Sequence, residues 1–161
     1  MSRLIAAASL GLALIAAAPA SAQTKTRSMI GEWRGAYVCP QGQTGLTLTI
    51  DKETSAGFSG YFHFYPPRTN PVAKEGCYSV EGRRAPDGRV IVSAIDWITR
   101  PPNYATVDLA GRLGSTGYYM TGDVVAPPEL GASCQKFELN WQSPKPIVSS
   151  TCLEGRTVDA R

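Results

Sequence analysis

The side chain best suited to acid–base chemistry near neutral pH, histidine, occurs once in this 161-residue chain, at His63. It stands between two phenylalanines in an aromatic run that alternates like a β-strand. The chain contains no Gly-x-Ser-x-Gly sequence, the usual setting of the nucleophile in many serine hydrolases. A strand histidine facing solvent or a cavity is therefore favoured over a catalytic base, and a hydrolase is the least favoured function.

Metal-ion and two-carboxylate chemistry have no better support in the sequence. One histidine and four cysteines without a Cys-x-x-Cys spacing make no recognisable zinc-binding pattern. Glycosidases use a pair of carboxylates, but no acidic residue here has a recognisable setting. The residues weighed are Asp51, Glu53, Asp96, Asp108 and Asp123. We therefore predict no metal, no cofactor and no enzymatic activity.

Two groups of aromatic and polar side chains are better suited to binding. The first is Tyr61, His63 and Tyr65, on the strand face opposite a row of phenylalanines. The second is Trp97, Arg100 and Tyr104, around a Pro-Pro pair. Aromatic rings with polar tips suit sugars and peptides, and Trp, Arg and Tyr are common interface anchors. A structural alternative stays open for the second group, in which Trp97 caps a barrel and Arg100 hydrogen-bonds loop carbonyls.

The elements that must position these residues are short β-strands. Period-two alternation and Gly- or Pro-rich turns predict about eight of them, and useful helical periodicity is missing after the first 22 residues. The first predicted strand and the turn that follows it lie in 31–42, and the second strand begins at residue 44. The other predicted strands lie in 57–65, 76–82, 89–95, 104–109, 118–125 and 134–141. Segment 96–103, with two prolines, is expected to interrupt the ladder.

This pattern predicts an all-β fold, either an antiparallel barrel or a sandwich. A lipocalin- or avidin-like up-and-down meander is preferred because every connection is short. Trp33, two residues after a glycine at the start of the first strand, is predicted to be core or to plug the open end of the barrel.

The four cysteines are an even number, which favours two disulfides if the chain is exported. Of three connectivities we favour Cys39–Cys134 with Cys77–Cys152. The first would join the opening and closing strands of a barrel. The second would hold down a C-terminal tail that has little else to fix it.

The N-terminal region has the three parts of an export signal. Arg3 precedes the apolar run Leu4–Ala18, and Ala20-Ser21-Ala22 is a small-residue cleavage site. We predict a cleaved signal peptide over 1–22, a flexible lead over 23–30, a β-barrel domain over 31–142, and an irregular tail over 143–161 pinned by Cys152. The expected location is periplasmic or secreted, with no membrane span after cleavage.

Charge gives little support to a nucleic-acid partner. The formal net charge is only +3, and the basic residues are scattered along the chain. The densest pair, Arg83-Arg84, is interpreted as a solvated turn.

Residues 31–50 read Gly-x-Trp-x-Gly-x-Tyr-x-Cys-x-Gln-Gly-x-Thr-x-Leu-x-Leu-x-Ile. Further motifs are Phe62-x-Phe64-Tyr65-Pro66, Asn70-Pro71, Gly76, Trp97-Ile98 before Arg100-Pro101, Tyr104, Val107, Leu109, Gly111, Gly122 and Cys134-x-x-Phe137-x-Leu139. This set resembles an uncharacterised bacterial exported domain that is found alone or appended to caspase-like peptidases. The resemblance covers about residues 31–141. It implies a β-rich accessory domain with cysteines matching Cys39 and Cys134, and it implies no activity.

Two function classes follow from the sequence. The preferred one is a non-catalytic protein-interaction module with an unknown envelope or extracellular partner, for example a hydrolase inhibitor or a peptidase accessory domain. Rigid Pro-rich loops suit such a role, because preorganised loops lose less entropy on binding. The alternative is a barrel that binds a small molecule or glycan. A filled interior would disfavour this alternative, and a deep tyrosine-lined pocket would favour it.

Overall fold

The computed structural model describes residues 27–128 and 134–154. The predicted signal peptide and the first part of the predicted lead lie outside this range. The described chain forms eight β-strands and one short helix. They are β1 Gly31–Cys39, β2 Gly42–Glu53, β3 Phe58–Tyr65, β4 Gly76–Arg84, β5 Arg89–Thr99, β6 Asp108–Leu113, β7 Tyr119–Val125, β8 Lys136–Ser143 and α1 Ser150–Glu154.

The strands form a closed barrel in chain order, and each pairs antiparallel with its neighbours. β1 closes the barrel by pairing with both β2 and β8, so that Trp33 lies opposite Leu48 on one side and Trp141 on the other. The predicted all-β antiparallel fold is confirmed, and the architecture is a barrel rather than a sandwich.

Alternating side chains fill the barrel, because successive residues of a strand point to opposite faces. Leu48, Phe62, Met120 and Leu139 are fully buried. Trp33 is 0% exposed, and its indole Nε1 donates a 2.9 Å hydrogen bond to the Met29 carbonyl. Trp33 is therefore core, and it lies near the end of the barrel where β1 begins, which we call the entry end. The opposite end, with connections 40–41, 66–75 and 100–107, is the loop end.

The structure corrects two strand boundaries near the predicted binding loop. β5 continues to Thr99, where we expected an interruption from residue 96, and 104–107 is not a strand. Val80 pairs with Ala94 but Tyr78 pairs with Trp97, so β5 holds an extra residue there. This β-bulge brings the Trp97 side chain to the inner face. The ladder breaks only beyond Thr99, at two prolines and at Asn103, whose φ is 62°.

Both predicted disulfides, Cys39–Cys134 and Cys77–Cys152, are present, and the described cysteines include no free thiol. The first links the end of β1 to the segment just before β8. The second links β4 to α1, which follows β8 by a short irregular segment.

The described part of the tail packs on the outside of the barrel. Cys77, Cys152 and Tyr61 form a second buried cluster, against which Ile98 and Val148 pack. The Thr49 hydroxyl donates to the Ile147 carbonyl at 3.4 Å, and the Thr99 hydroxyl donates to the Thr151 carbonyl at 2.7 Å. We call the outer surface under residues 144–154 the covered wall.

Residues 27–30, the described part of the predicted lead, are fixed to the entry end in contrast to the expected looseness. Met29 is 1% exposed, and its amide donates to the Glu53 carboxylate at 2.9 Å. The Arg27 guanidinium lies 3.8 Å from the ring centroids of both Tyr118 and Trp141. Cation–π contact on two rings holds the chain at this end.

Candidate functional site

The structure brings Trp97, Arg100 and Tyr104 together at the loop end. The Tyr104 ring stacks on Phe64 at a centroid distance of 5.5 Å. The Trp97 ring makes edge contacts with Phe64 at 6.2 Å and with Tyr78 at 5.2 Å. Since Phe64 and Tyr78 are buried inside the barrel, these contacts close its loop end. Trp97 therefore caps the barrel, as in the structural alternative that the sequence left open for this residue.

Arg100 lies on the outer side of this aromatic closure. Its Nε donates to the Tyr104 carbonyl at 3.1 Å, and its guanidinium lies 5.6 Å from the Trp97 ring centroid. The side chain is otherwise exposed. Arg100 therefore supports the loop and also presents a cation to solvent.

Hydrogen bonds hold the loops at this end to one another. The Asn70 amide donates to the carbonyls of Gln41 and Gln43 at 2.6 and 3.0 Å. The Lys74 backbone N–H donates to the Tyr104 hydroxyl at 3.1 Å. Loop 66–75 is thereby joined to the β1–β2 turn and to loop 100–107, while Val72 at its tip is 78% exposed.

A pocket of about 160 Å³ opens beside this closure, lined by Tyr37, Gln41, Asn103, Tyr104 and Val107. Burial, followed by the nearby Tyr104 hydroxyl, raises the pKa of Tyr37 far above the usual tyrosine value. Burial likewise raises the pKa of Tyr78, whose hydroxyl donates to the Val107 carbonyl at 2.9 Å. Both phenols are neutral hydrogen-bonding groups at physiological pH and do not act as bases.

The predicted group on β3 lies apart from the loop end group, on the outer surface of the barrel. Tyr61 is only 4% exposed because it belongs to the cluster under the tail. The Tyr65 ring lies 5.3 Å from the His63 ring and covers Gly45, where a Cβ would come within 2.4 Å of the ring. Of the three, His63 and Tyr65 keep partial access to solvent.

His63 is paired with a carboxylate that also holds the tail. His63 Nε2 and the Thr151 hydroxyl each lie 2.7 Å from the same oxygen, Glu75 Oε1. The hydrogen bond from Thr151, and then that from His63, lower the pKa of Glu75 below its ordinary value. The Thr151 hydroxyl donates to the carboxylate and not to the imidazole, so His63 is not placed to activate it.

No group of three or more His, Cys, Asp or Glu side chains suited to a metal ion occurs in 27–128 and 134–154. Over the same residues, no helix has the length and apolar character needed to cross a bilayer. Comparison with protein-family models, curated proteins and solved structures finds no match to this chain. The resemblance to the bacterial accessory domain stays a prediction.

Sequence analysis missed a concave surface on the outside of the barrel. The segments of β4 and β5 that lie nearest the entry end, together with β6 and β7, form a groove of about 660 Å³. Its lining includes four arginines, Arg83, Arg84, Arg89 and Arg112. The Arg83-Arg84 pair was visible in the sequence. Arg112 comes near this pair only because β6 pairs with β5. We call this surface the arginine groove.

Proposed function

We propose that this protein is an exported, non-catalytic protein-interaction module that binds its partner with the surface at the loop end. The observation that carries the proposal is the set of hydrogen bonds that join loop 66–75 to loop 100–107 and to the β1–β2 turn. Loops already fixed in one conformation lose less entropy on binding.

The composition of this surface supports a protein partner. Val72 offers an exposed aliphatic side chain, and Arg100 offers an exposed guanidinium. Arginine is common among the residues that dominate protein–protein binding energy. The Cys39–Cys134 disulfide fixes the β1 end of the same surface.

The filled interior disfavours the small-molecule or glycan alternative. Phe62, Phe64 and Tyr78 occupy the barrel below the loop end, and the rings of Trp97 and Tyr104 cover them. The adjacent pocket of about 160 Å³ is smaller than the roughly 300 to 1,000 Å³ of typical ligand sites. A single side chain of a partner protein fits this volume better than a free glycan.

An exported protein is the second part of the proposal. Two disulfides are consistent with an oxidising compartment outside the cytoplasm. Together with the predicted signal peptide, they support the periplasm or the cell exterior as the location.

Crosslinking pull-down from envelope and secreted fractions tests the interaction, using protein produced from the full sequence. The test variant is Val72→Ser with Arg100→Gln, which leaves the partly buried Trp97 in place. The matched control is Ile147→Ser with Lys145→Gln, which also removes one exposed aliphatic group and one cation but lies on the tail.

A defined partner captured by the wild type and the control, and lost from the loop variant, is the expected result. Equal capture by all three proteins would exclude the loop end as the binding surface. Absence of any partner would contradict the proposal of an interaction module, and small-ligand screening would then test the alternative.

A further inference from the structure

The arginine groove has an excess of positive charge after its internal pairs are considered. Arg89 Nε pairs with the Asp87 carboxylate at 2.7 Å, and Arg112 donates to the Asp87 carbonyl. The Arg112 guanidinium also acts on the Asp87 carboxylate, so one negative charge is shared by two arginines. Arg83 makes no ion pair with any described residue. Arg84 donates to the Arg27 carbonyl at 2.5 Å and lies 3.8 Å from the Glu53 carboxylate.

Four described acidic residues lie in or next to the groove, and none of them forms a salt bridge with Arg83 or Arg112; they are Glu81, Asp87, Asp123 and Glu138. Among the described residues, Asp123 is the one carboxylate that lines the groove, and it forms an exposed ion pair with the Lys136 ammonium at 2.5 Å. Asp87, at the turn after β4, accepts hydrogen bonds from the backbone N–H and then from the guanidinium of Arg89, and these, together with the nearby Arg112, lower the pKa of its carboxyl. Arg83 and Arg112 are therefore available to an external anion.

The floor between these cations is small and apolar. Ile91 is 42% exposed, and Ala110 and Gly111 lie next to it across the β5–β6 pair. Leu109 and Met120 point into the barrel, so the neighbouring Ala110 and Thr121 point outward. Their short side chains line the groove between the arginines.

We propose that the arginine groove binds an acidic, amphipathic segment of a partner polypeptide. Carboxylates of the segment would pair with Arg83 and Arg112, since guanidinium groups bind carboxylates in a planar, bidentate geometry. An apolar side chain between two such carboxylates would cover Ile91 and Ala110. The volume of about 660 Å³ suffices for several side chains.

The lining favours a polypeptide over an anionic polysaccharide or nucleic acid. Within 27–128 and 134–154, no Trp, Tyr or Phe side chain lines the groove, so these residues offer no ring on which a sugar or base could stack. A partly exposed isoleucine at the centre suits an aliphatic group instead. Residues 155–161 carry two arginines against one aspartate, so their charge does not complement the groove.

Fluorescence anisotropy with a pool of short, labelled peptides tests this proposal. The peptides alternate glutamate with leucine or isoleucine. The groove variants are Arg83→Gln with Arg112→Gln, and Ala110→Glu, which places a carboxylate on the floor. The matched control is Lys52→Gln with Arg68→Gln, which removes the same charge from exposed positions outside the groove.

The wild type and the control should bind alike, and both groove variants should bind about tenfold more weakly or worse. The double arginine variant loses two charge-assisted contacts, whereas Ala110→Glu repels the carboxylates of the peptide and fills the apolar floor. Unchanged melting temperatures would show that the variants are folded. Absence of peptide binding, equal weakening in the control, or stronger binding of a heparin oligosaccharide would each overturn the proposal.

This surface is separate from the loop end, so the two proposals can fail independently. The Val72→Ser and Arg100→Gln variant should bind the acidic peptides like the wild type. If it loses them, the groove is not the peptide site.

Discussion

Two outer surfaces of the barrel are built from similar strands but differ in exposure: the covered wall is shielded from solvent, and the arginine groove is open. On the covered wall, outward side chains are shielded from solvent: Tyr61 is 4% exposed and Cys77 is 0% exposed. In the arginine groove, the outward side chain of Ile91 is 42% exposed, and Arg83, Arg89 and Arg112 are exposed. β4 and β5 contribute to both surfaces, to the covered wall near the loop end and to the groove near the entry end.

The difference between the surfaces comes from the path of the chain after β8. The tail leaves Ser143 at the entry end and runs across β2 to β5 until Cys152 meets Cys77. Aromatic and sulfur-containing side chains on that side therefore have an intramolecular partner. No described segment of the chain covers the groove. Its exposed arginines and isoleucine therefore indicate that it binds another molecule.

The largest expected effect is on the core that both surfaces share. Trp33→Ala should lower the free energy of unfolding by about 3 to 5 kcal/mol, because the ring is fully buried and hydrogen-bonded to Met29. Urea unfolding of the variant measures this loss. A loss below about 1 kcal/mol would show that the ring is not packed in the core.

Releasing the tail should convert the covered wall into an open one. Cys77→Ala with Cys152→Ala removes a crosslink between residues 75 positions apart and should cost about 2 to 4 kcal/mol. Binding of a hydrophobic dye to the folded variant should also increase as Tyr61 is uncovered. An unchanged urea midpoint together with unchanged dye binding would mean that the tail is held mainly by its other contacts.

A matched pair of substitutions measures the contrast between the surfaces directly. Tyr61→Ser should lower the free energy of unfolding by about 2 kcal/mol or more, because the ring is buried under the tail. Ile91→Ser should change it by less than about 0.5 kcal/mol, because the side chain is partly solvated already. Equal losses would remove the distinction between a covered and an open surface.

The smallest expected effect concerns Glu75, which joins the tail to β3. Its pKa in the folded protein is lowered from 4.5, chiefly by the Thr151 hydroxyl and then by His63, so the ionised carboxylate stabilises the fold above that value. This stabilisation disappears as the pH falls through the lowered pKa and the carboxylate is protonated.

The urea midpoint of the wild type should therefore exceed that of Glu75→Gln slightly at pH values above 5 and match it well below 4. Glu81→Gln, at an exposed carboxylate of β4 outside the tail contact, serves as the comparison for general acid effects. A difference between wild type and Glu75→Gln that is independent of pH would rule out the ionised carboxylate as its source.

The sequence by itself determined the class of the fold. Alternation in segments such as Leu46 to Ile50 depends only on the two-residue period of a strand, so it is visible without tertiary contacts. Glycine and proline turns between short strands then favoured a meander. The disulfide pairing was also predictable, because closing a meander brings β1 next to the last strand and leaves Cys77 and Cys152 to pair.

Only the tertiary structure determined which side chains meet on each outer surface and which surface is covered. The bulge that brings Trp97 inward depends on pairing with Tyr78, and local sequence around the prolines suggested an interruption instead. The course of the tail over Tyr61 and the gathering of Arg83 and Arg112 in one groove depend on which strands become neighbours. Strand periodicity specifies which face a side chain takes, but what lies opposite that face is set by barrel closure and by the path of the chain beyond it.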